Sequence, residues 1–106
     1  MPNGGMVKMM KQLQKAQAEM SRLQEELGEK TVESSSGGGA VRVVANGKKQ
    51  LVSLQIDPEA VSEENREMLE DMIVAAVNEA FNRVDEMVSS EMQKLTGGIN
   101  LPPGMF

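Results

Sequence analysis

Four basic side chains near the start of the chain, Lys8, Lys11, Lys15 and Arg22, have the types and spacing to act on a partner. At about 100° per residue they fall within an arc of roughly 60° on one side of a helix. A stripe of this kind presents positive charge to something anionic. A solvated helix face is the plain alternative, and for these four residues taken alone the two readings weigh equally. Lysine bound to phosphate positions a protein without specifying sequence, and the stripe contains one Arg and no Asn, so base readout is not expected from it. No aromatic residue interleaves with the basic ones, which argues against stacking on single strands. A second cluster, Glu63, Glu64, Glu67, Glu70 and Asp71, invites a metal-binding reading. Consecutive acids at a helix start more often form a solvated face that the helix dipole favours.

The remaining inventory is short. The chain has no Cys and no His, which removes thiol nucleophiles, disulfides, zinc-thiolate sites and the commonest general base. No enzyme, cofactor or metal site is expected. The 10 methionines raise the thought of copper, but they follow helical spacing without His or Cys beside them, so packing is the better account. Net charge is −5, against a protein that coats nucleic acid by bulk charge. Its distribution is uneven: residues 1–56 hold 8 basic side chains against 5 acidic, and residues 57–106 hold 3 against 11. A basic first half precedes an acidic second half.

The basic stripe needs an element to carry it. Met6, Leu13, Met20 and Leu27 recur every seven residues and Met9, Ala16 and Leu23 fill the second seam position, so Met6–Leu27 reads as a helix with an apolar seam opposite the cations. That seam requires a protein partner, because an amphipathic helix is stabilised mainly by what its apolar face packs on. Residues 1–5 read as a loose leader. Gly28 is placed to close the helix in the left-handed conformation.

Glu29–Ser36 then suits a short strand, and Gly37–Gly39 a hairpin connection. A phosphate-cradling loop would need a following helix or a Lys-Ser/Thr, and neither is present. Ala40–Ala45 forms the next strand, Asn46-Gly47 signals a two-residue type I′ turn, and Lys48–Ile56 returns. In that return strand Val52, Leu54 and Ile56 share one face, which a helix is expected to cover. Asp57-Pro58 stops the strand, and Ser62 is the expected cap of a long helix that runs to Thr96-Gly97-Gly98. At 1.5 Å per residue this helix reaches about 50 Å and should overhang the sheet. The tail 99–106 is too short to fold alone, and a frayed end is the simpler reading of it than a partner-binding motif. The whole is an α+β chain of order α-β-β-β-α, a small antiparallel three-stranded sheet with long flanking helices, in a single domain over 6–98. Its apolar faces do not close within one chain, and a homodimer resolves them. The N-terminus lacks the pattern of a signal peptide and no stretch reaches membrane-spanning length, so a cytoplasmic protein is expected.

Several motifs in fixed order carry a resemblance: Lys30–Glu33, Gly37–Gly39, Val41–Val43, Asn46-Gly47, Ile56–Glu59, Leu69–Asp71, Ala75–Ala80 and Thr96–Gly98. Together with the Met-, Gln- and Lys-rich first helix they make the chain resemble the YbaB/EbfC family of bacterial nucleoid-associated proteins nearly end to end. The resemblance implies a dimer that projects helices like the arms of tweezers and binds duplex DNA with them, in chromosome organisation or gene regulation at the nucleoid. It carries the DNA contact to Lys8, Lys11, Lys15 and Arg22, and on the last helix to Arg83 and Lys94. The contrasting expectation is a dimeric interaction module whose seam docks onto an unidentified protein, with DNA contact incidental.

Overall fold

The computed structural model describes residues 3–96, without the side chains of residues 3, 95 and 96. Helix α1 spans Asn3–Glu29, strands β1, β2 and β3 span Thr31–Ser36, Val41–Asn46 and Leu51–Ile56, and helix α2 spans Arg66–Thr96. The strands form one antiparallel sheet in the order β1-β2-β3. The expected α-β-β-β-α order therefore stands, while the tail 99–106 lies outside the described residues.

Alternation decides which side of the sheet is covered. Val32, Ser34 and Ser36 of β1 stand opposite Ala45, Val43 and Val41 of β2, and this face meets Ala76, Ala80 and Val84 of α2 in the buried core. Two alanines one turn apart let the helix axis approach the sheet closely. The serines on that face are satisfied rather than exposed: Ser34 Oγ donates to the Ala76 carbonyl, and Ser36 Oγ donates to the Met72 carbonyl at 2.6 Å. Each hydroxyl thus bonds a carbonyl of the helix it packs on, so burial leaves no orphaned polar group. Gly37 holds φ +62° where a Cβ would lie 2.1 Å from Met72 Sδ, so the β1–β2 connection needs glycine for both conformation and space.

Helix α2 lies over β1 and β2 and leaves β3 uncovered, which corrects the expectation that a helix of the same chain covers the apolar return strand. Leu51, Val52 and Leu54 are each more than two-fifths exposed. Strand β3 is an edge, and its register slips between Val44 and Ala45, where β3 carries one extra residue. The strand also starts at Leu51 rather than Lys48, because the turn is longer than two residues. Lys49 N donates to the Asn46 carbonyl at 2.9 Å and Asn46 N to the Gln50 carbonyl at 3.0 Å. The positive φ of 62° falls on Lys49 and not on Gly47. This is a three-residue loop with a left-handed final residue, held by Asn46 Oδ1 accepting from Lys48 N and Gln50 N at 3.0 and 3.2 Å.

Gly47 has a different task. A Cβ there would sit 1.8 Å from the Leu27 carbonyl oxygen, so the hairpin tip abuts the last turn of α1, and Gly47 N donates to the Lys30 carbonyl at 2.9 Å. Gly28 likewise does not take a left-handed conformation. The helix runs one residue past it, and a Cβ at Gly28 would crowd Lys48 Cε at 2.9 Å. At its other end α1 starts at Asn3, inside the stretch expected to be a leader; glycines 4 and 5 weaken a helix by about 1 kcal/mol each relative to Ala without forbidding it. Helix α2 also starts later than expected. Ser62 Oγ accepts from Asn65 N at 3.2 Å, which caps a turn leading into the helix, and the first helical residue is Arg66.

Candidate functional site

Helix α1 leaves the body as an arm. Its 27 residues measure about 40 Å at 1.5 Å per residue, and the chain extends 79 × 26 × 16 Å as a result. Among its described side chains and glycines, only Leu23, Leu27 and Gly28 near its end are shielded. The seam residues Met6, Met9, Leu13, Ala16 and Met20 stay exposed, the first three by more than three-fifths. A row of such apolar groups in water needs a cover, and the described residues do not supply one.

The root of the arm is fastened. Leu27 is buried, the Gly47–Lys30 bond joins hairpin to helix end, and Lys30 Nζ reaches Glu91 Oε1 of α2 at 2.9 Å. Lys94 approaches the same carboxylate at 3.6 Å. The hydrogen bond from Lys30 holds the Glu91 carboxyl below the usual carboxylate range; desolvation opposes it, and the positive charges of Lys30 and Lys94 add to the lowering. Leu23, Leu27, Lys30, Glu91 and Lys94 line a cavity of about 170 Å³ there. The C-terminal part of α2 thus meets the end of the arm through Glu91 and Lys94.

The six basic residues picked from the sequence do not form one site. Lys8, Lys11 and Lys15 are exposed on the arm and make no ion pair among the described residues. Arg22, on the same stripe, approaches Glu26 at 3.9 Å with both side chains more than half exposed, a geometry worth little in water. Arg83 is engaged elsewhere: Nε meets Glu79 at 3.3 Å and Nη1 donates to the Glu33 carbonyl, which ties α2 to β1. Lys94 belongs to the latch at the arm's root. The acidic cluster at the start of α2 assembles no metal site among the described residues, and no described helix is long and apolar enough to cross a membrane.

Two features had not been picked out. A notch runs between α2 and the uncovered β3. Lys49 spans it from the hairpin, 3.2 Å from Asp85 and 5.9 Å from the Phe81 ring centre, and Val74 and Val77 lie on the same flank of α2 by helical spacing, with Val74 58% exposed. The other feature is Arg42 on the open side of the sheet. Its signal was present as the single charge in the alternating run Ala40–Ala45.

Residues 2–99 match the sequence pattern of the YbaB/EbfC DNA-binding family. The chain is 58% identical to a nucleoid-associated protein of Pelotomaculum thermopropionicum over 106 residues, all of both chains. It is 61% identical to a nucleoid-associated protein of Moorella thermoacetica over 99 residues, 93% of this chain and 95% of the other. Among solved structures, an uncharacterized Helicobacter pylori protein matches with a TM-score of 0.69 and 30% identity, covering 82% of this chain and 91% of that one.

Proposed function

The chain belongs to the YbaB/EbfC DNA-binding family, and from that premise we propose that it binds duplex DNA at the nucleoid as a homodimer, mainly through phosphate contacts from Lys8, Lys11, Lys15 and Arg22. It is a nucleoid-associated DNA-binding protein and not an enzyme. The observation that carries the site is the arm itself: a helix of about 40 Å stands clear of the body with three lysines free of carboxylates along one stripe. An acidic body repels DNA, and a projecting basic stripe separates the attraction from that repulsion by more than a Debye length, about 8 Å at physiological salt. Arg83 and Lys94 take a smaller part, since both are occupied by acceptors of their own chain.

The homodimer is supported by the two apolar surfaces left open, the seam of α1 and the notch of β3 and α2. A second copy covers both by symmetry and places two arms in one particle, which contribute to chromosome organisation or gene regulation by bridging or bending duplexes. The test is the triple variant Lys8→Glu, Lys11→Glu, Lys15→Glu in a binding assay with mixed-sequence duplex DNA. Lost binding with an intact dimer is expected. Stoichiometric capture of another protein, together with no duplex shift by the unmodified chain at physiological salt, would instead favour an interaction module.

A further inference from the structure

The chain has four arginines, and three of them face a carboxylate: Arg22 with Glu26, Arg66 with Glu70 and Arg83 with Glu79. Arg42 has no such partner among the described residues. It projects from β2 on the sheet face opposite α2, directly across from Gln55 of β3, and its guanidinium lies beside the Gly37–Gly39 loop, where a Cβ on Gly39 would be 3.7 Å from Nη2. Gly39, Arg42, Gln55, Ile56 and Asp57 line an open cleft of about 450 Å³. One oxygen of Asp57 accepts from Glu59 N at 3.0 Å, which fixes the carboxylate and leaves its other oxygen available.

We infer that Arg42, Gln55 and Asp57 form a base-reading surface that contacts the edges of base pairs in the major groove, a contact separate from the phosphate-binding arm. The inference rests on duplex DNA being the ligand and adds to it the groups that read sequence. A phosphate offers only acceptors and negative charge, so the Asp57 carboxylate in the cleft disfavours it. A base-pair edge offers donors and acceptors together, and the three side chains match that mixture: a guanidinium fork for guanine O6 and N7, an amide for adenine N6 and N7, and a carboxylate for the cytosine amino group. Antiparallel strands hold Arg42 and Gln55 in neighbouring positions with Cβ atoms about 5 Å apart, near enough to address adjacent base pairs. The glycine loop beside them carries no side chain to obstruct the groove wall.

The test is selection of bound duplexes from a randomised library by the unmodified chain and by the variants Arg42→Lys and Gln55→Ala, with thermal unfolding of each to establish that it folds. The unmodified chain is expected to prefer particular base pairs by about tenfold or more over the library mean. Arg42→Lys keeps the charge and loses the fork, so it is expected to bind the library mean as before with that preference gone. Two outcomes overturn the inference: no preference in the unmodified chain, or an unchanged preference in both variants. The first leaves duplex binding standing. Absence of any duplex binding would remove both readings.

Discussion

Replacing Gly47 by Ala probes how the arm is mounted on the body. The added Cβ would lie 1.8 Å from the Leu27 carbonyl oxygen, 2.6 Å from the Leu27 carbonyl carbon and 3.1 Å from Gly28 Cα. All three are backbone atoms of the last turn of α1, so no rotamer change relieves the clash. Ordinary contact is about 3.5 Å, and the hairpin tip and the helix end must separate by well over an ångström. That separation breaks the 2.9 Å bond from Gly47 N to the Lys30 carbonyl, worth about 1 kcal/mol. It also begins to uncover Leu27, now 8% exposed, whose full burial is worth about 2 kcal/mol. A destabilisation of about 2–3 kcal/mol follows, which lowers Tm by about 10 °C or more in a domain of this size. The control is Gly5→Ala, where a Cβ meets nothing within 4 Å on the same helix and the helix gains about 1 kcal/mol. Scanning calorimetry of both variants reads the comparison. A Gly47→Ala protein as stable as its parent would refute the close approach and with it the fixed mounting of the arm.

Three further outcomes are specific. Ser34→Ala removes a buried hydroxyl whose partner, the Ala76 carbonyl, lies in the middle of α2. The expected cost is about 1 kcal/mol in a denaturant titration, and a neutral result would mean that this bond adds nothing to strand–helix docking. Leu54→Lys places charge on the open face of β3 beside α2 and is expected to shift the proposed homodimer to monomer in sedimentation without unfolding the chain; an unchanged dimer would remove β3 from the proposed interface. The folded-state pKa of Glu91 is depressed by Lys30, so its contribution is fully present above the ordinary carboxylate value and is lost as pH falls through the lowered one. Carboxyl NMR titration should find Glu91 below the ordinary glutamate value, and Lys30→Met should raise it.

Periodicity made most of the architecture readable. The seven-residue seam from Met6 to Leu27 marked α1, the alternation in AVRVVA marked β2, and the 3.6-residue spacing from Leu69 to Val88 marked α2, because each pattern states a burial face along a single element. What escaped reading was contact between elements. Asn46-Gly47 carries the local signature of a tight turn, yet Gly47 is required by the backbone of Leu27, which lies 20 positions away in sequence. Gly28 is adjacent to the helix end and invites a left-handed cap, but the space it leaves is taken by Lys48. The apolar alternation of β3 reads as a face that a helix covers, yet Leu51, Val52 and Leu54 stay exposed, and nothing in their order could say that α2 would settle over β1 and β2 through Ser34 and Ser36. The stripe of Lys8, Lys11, Lys15 and Arg22 was legible as a stripe. That Arg83 would reach across to the Glu33 carbonyl, and that Arg42 would have no carboxylate partner among the described residues, depends on strand pairing and only became visible in three dimensions.

We propose that Lys8, Lys11 and Lys15 of the arm hold duplex DNA by its phosphates. The most direct measurement is the slope of log binding constant against log salt concentration, for the unmodified chain and for Lys8→Ala, Lys11→Ala, Lys15→Ala. Each phosphate contact adds about 0.9 to the steepness, so a steep slope is expected, flattening by roughly 3 for each arm engaged when the three lysines are removed. An affinity and slope that the substitutions leave unchanged would contradict the proposal.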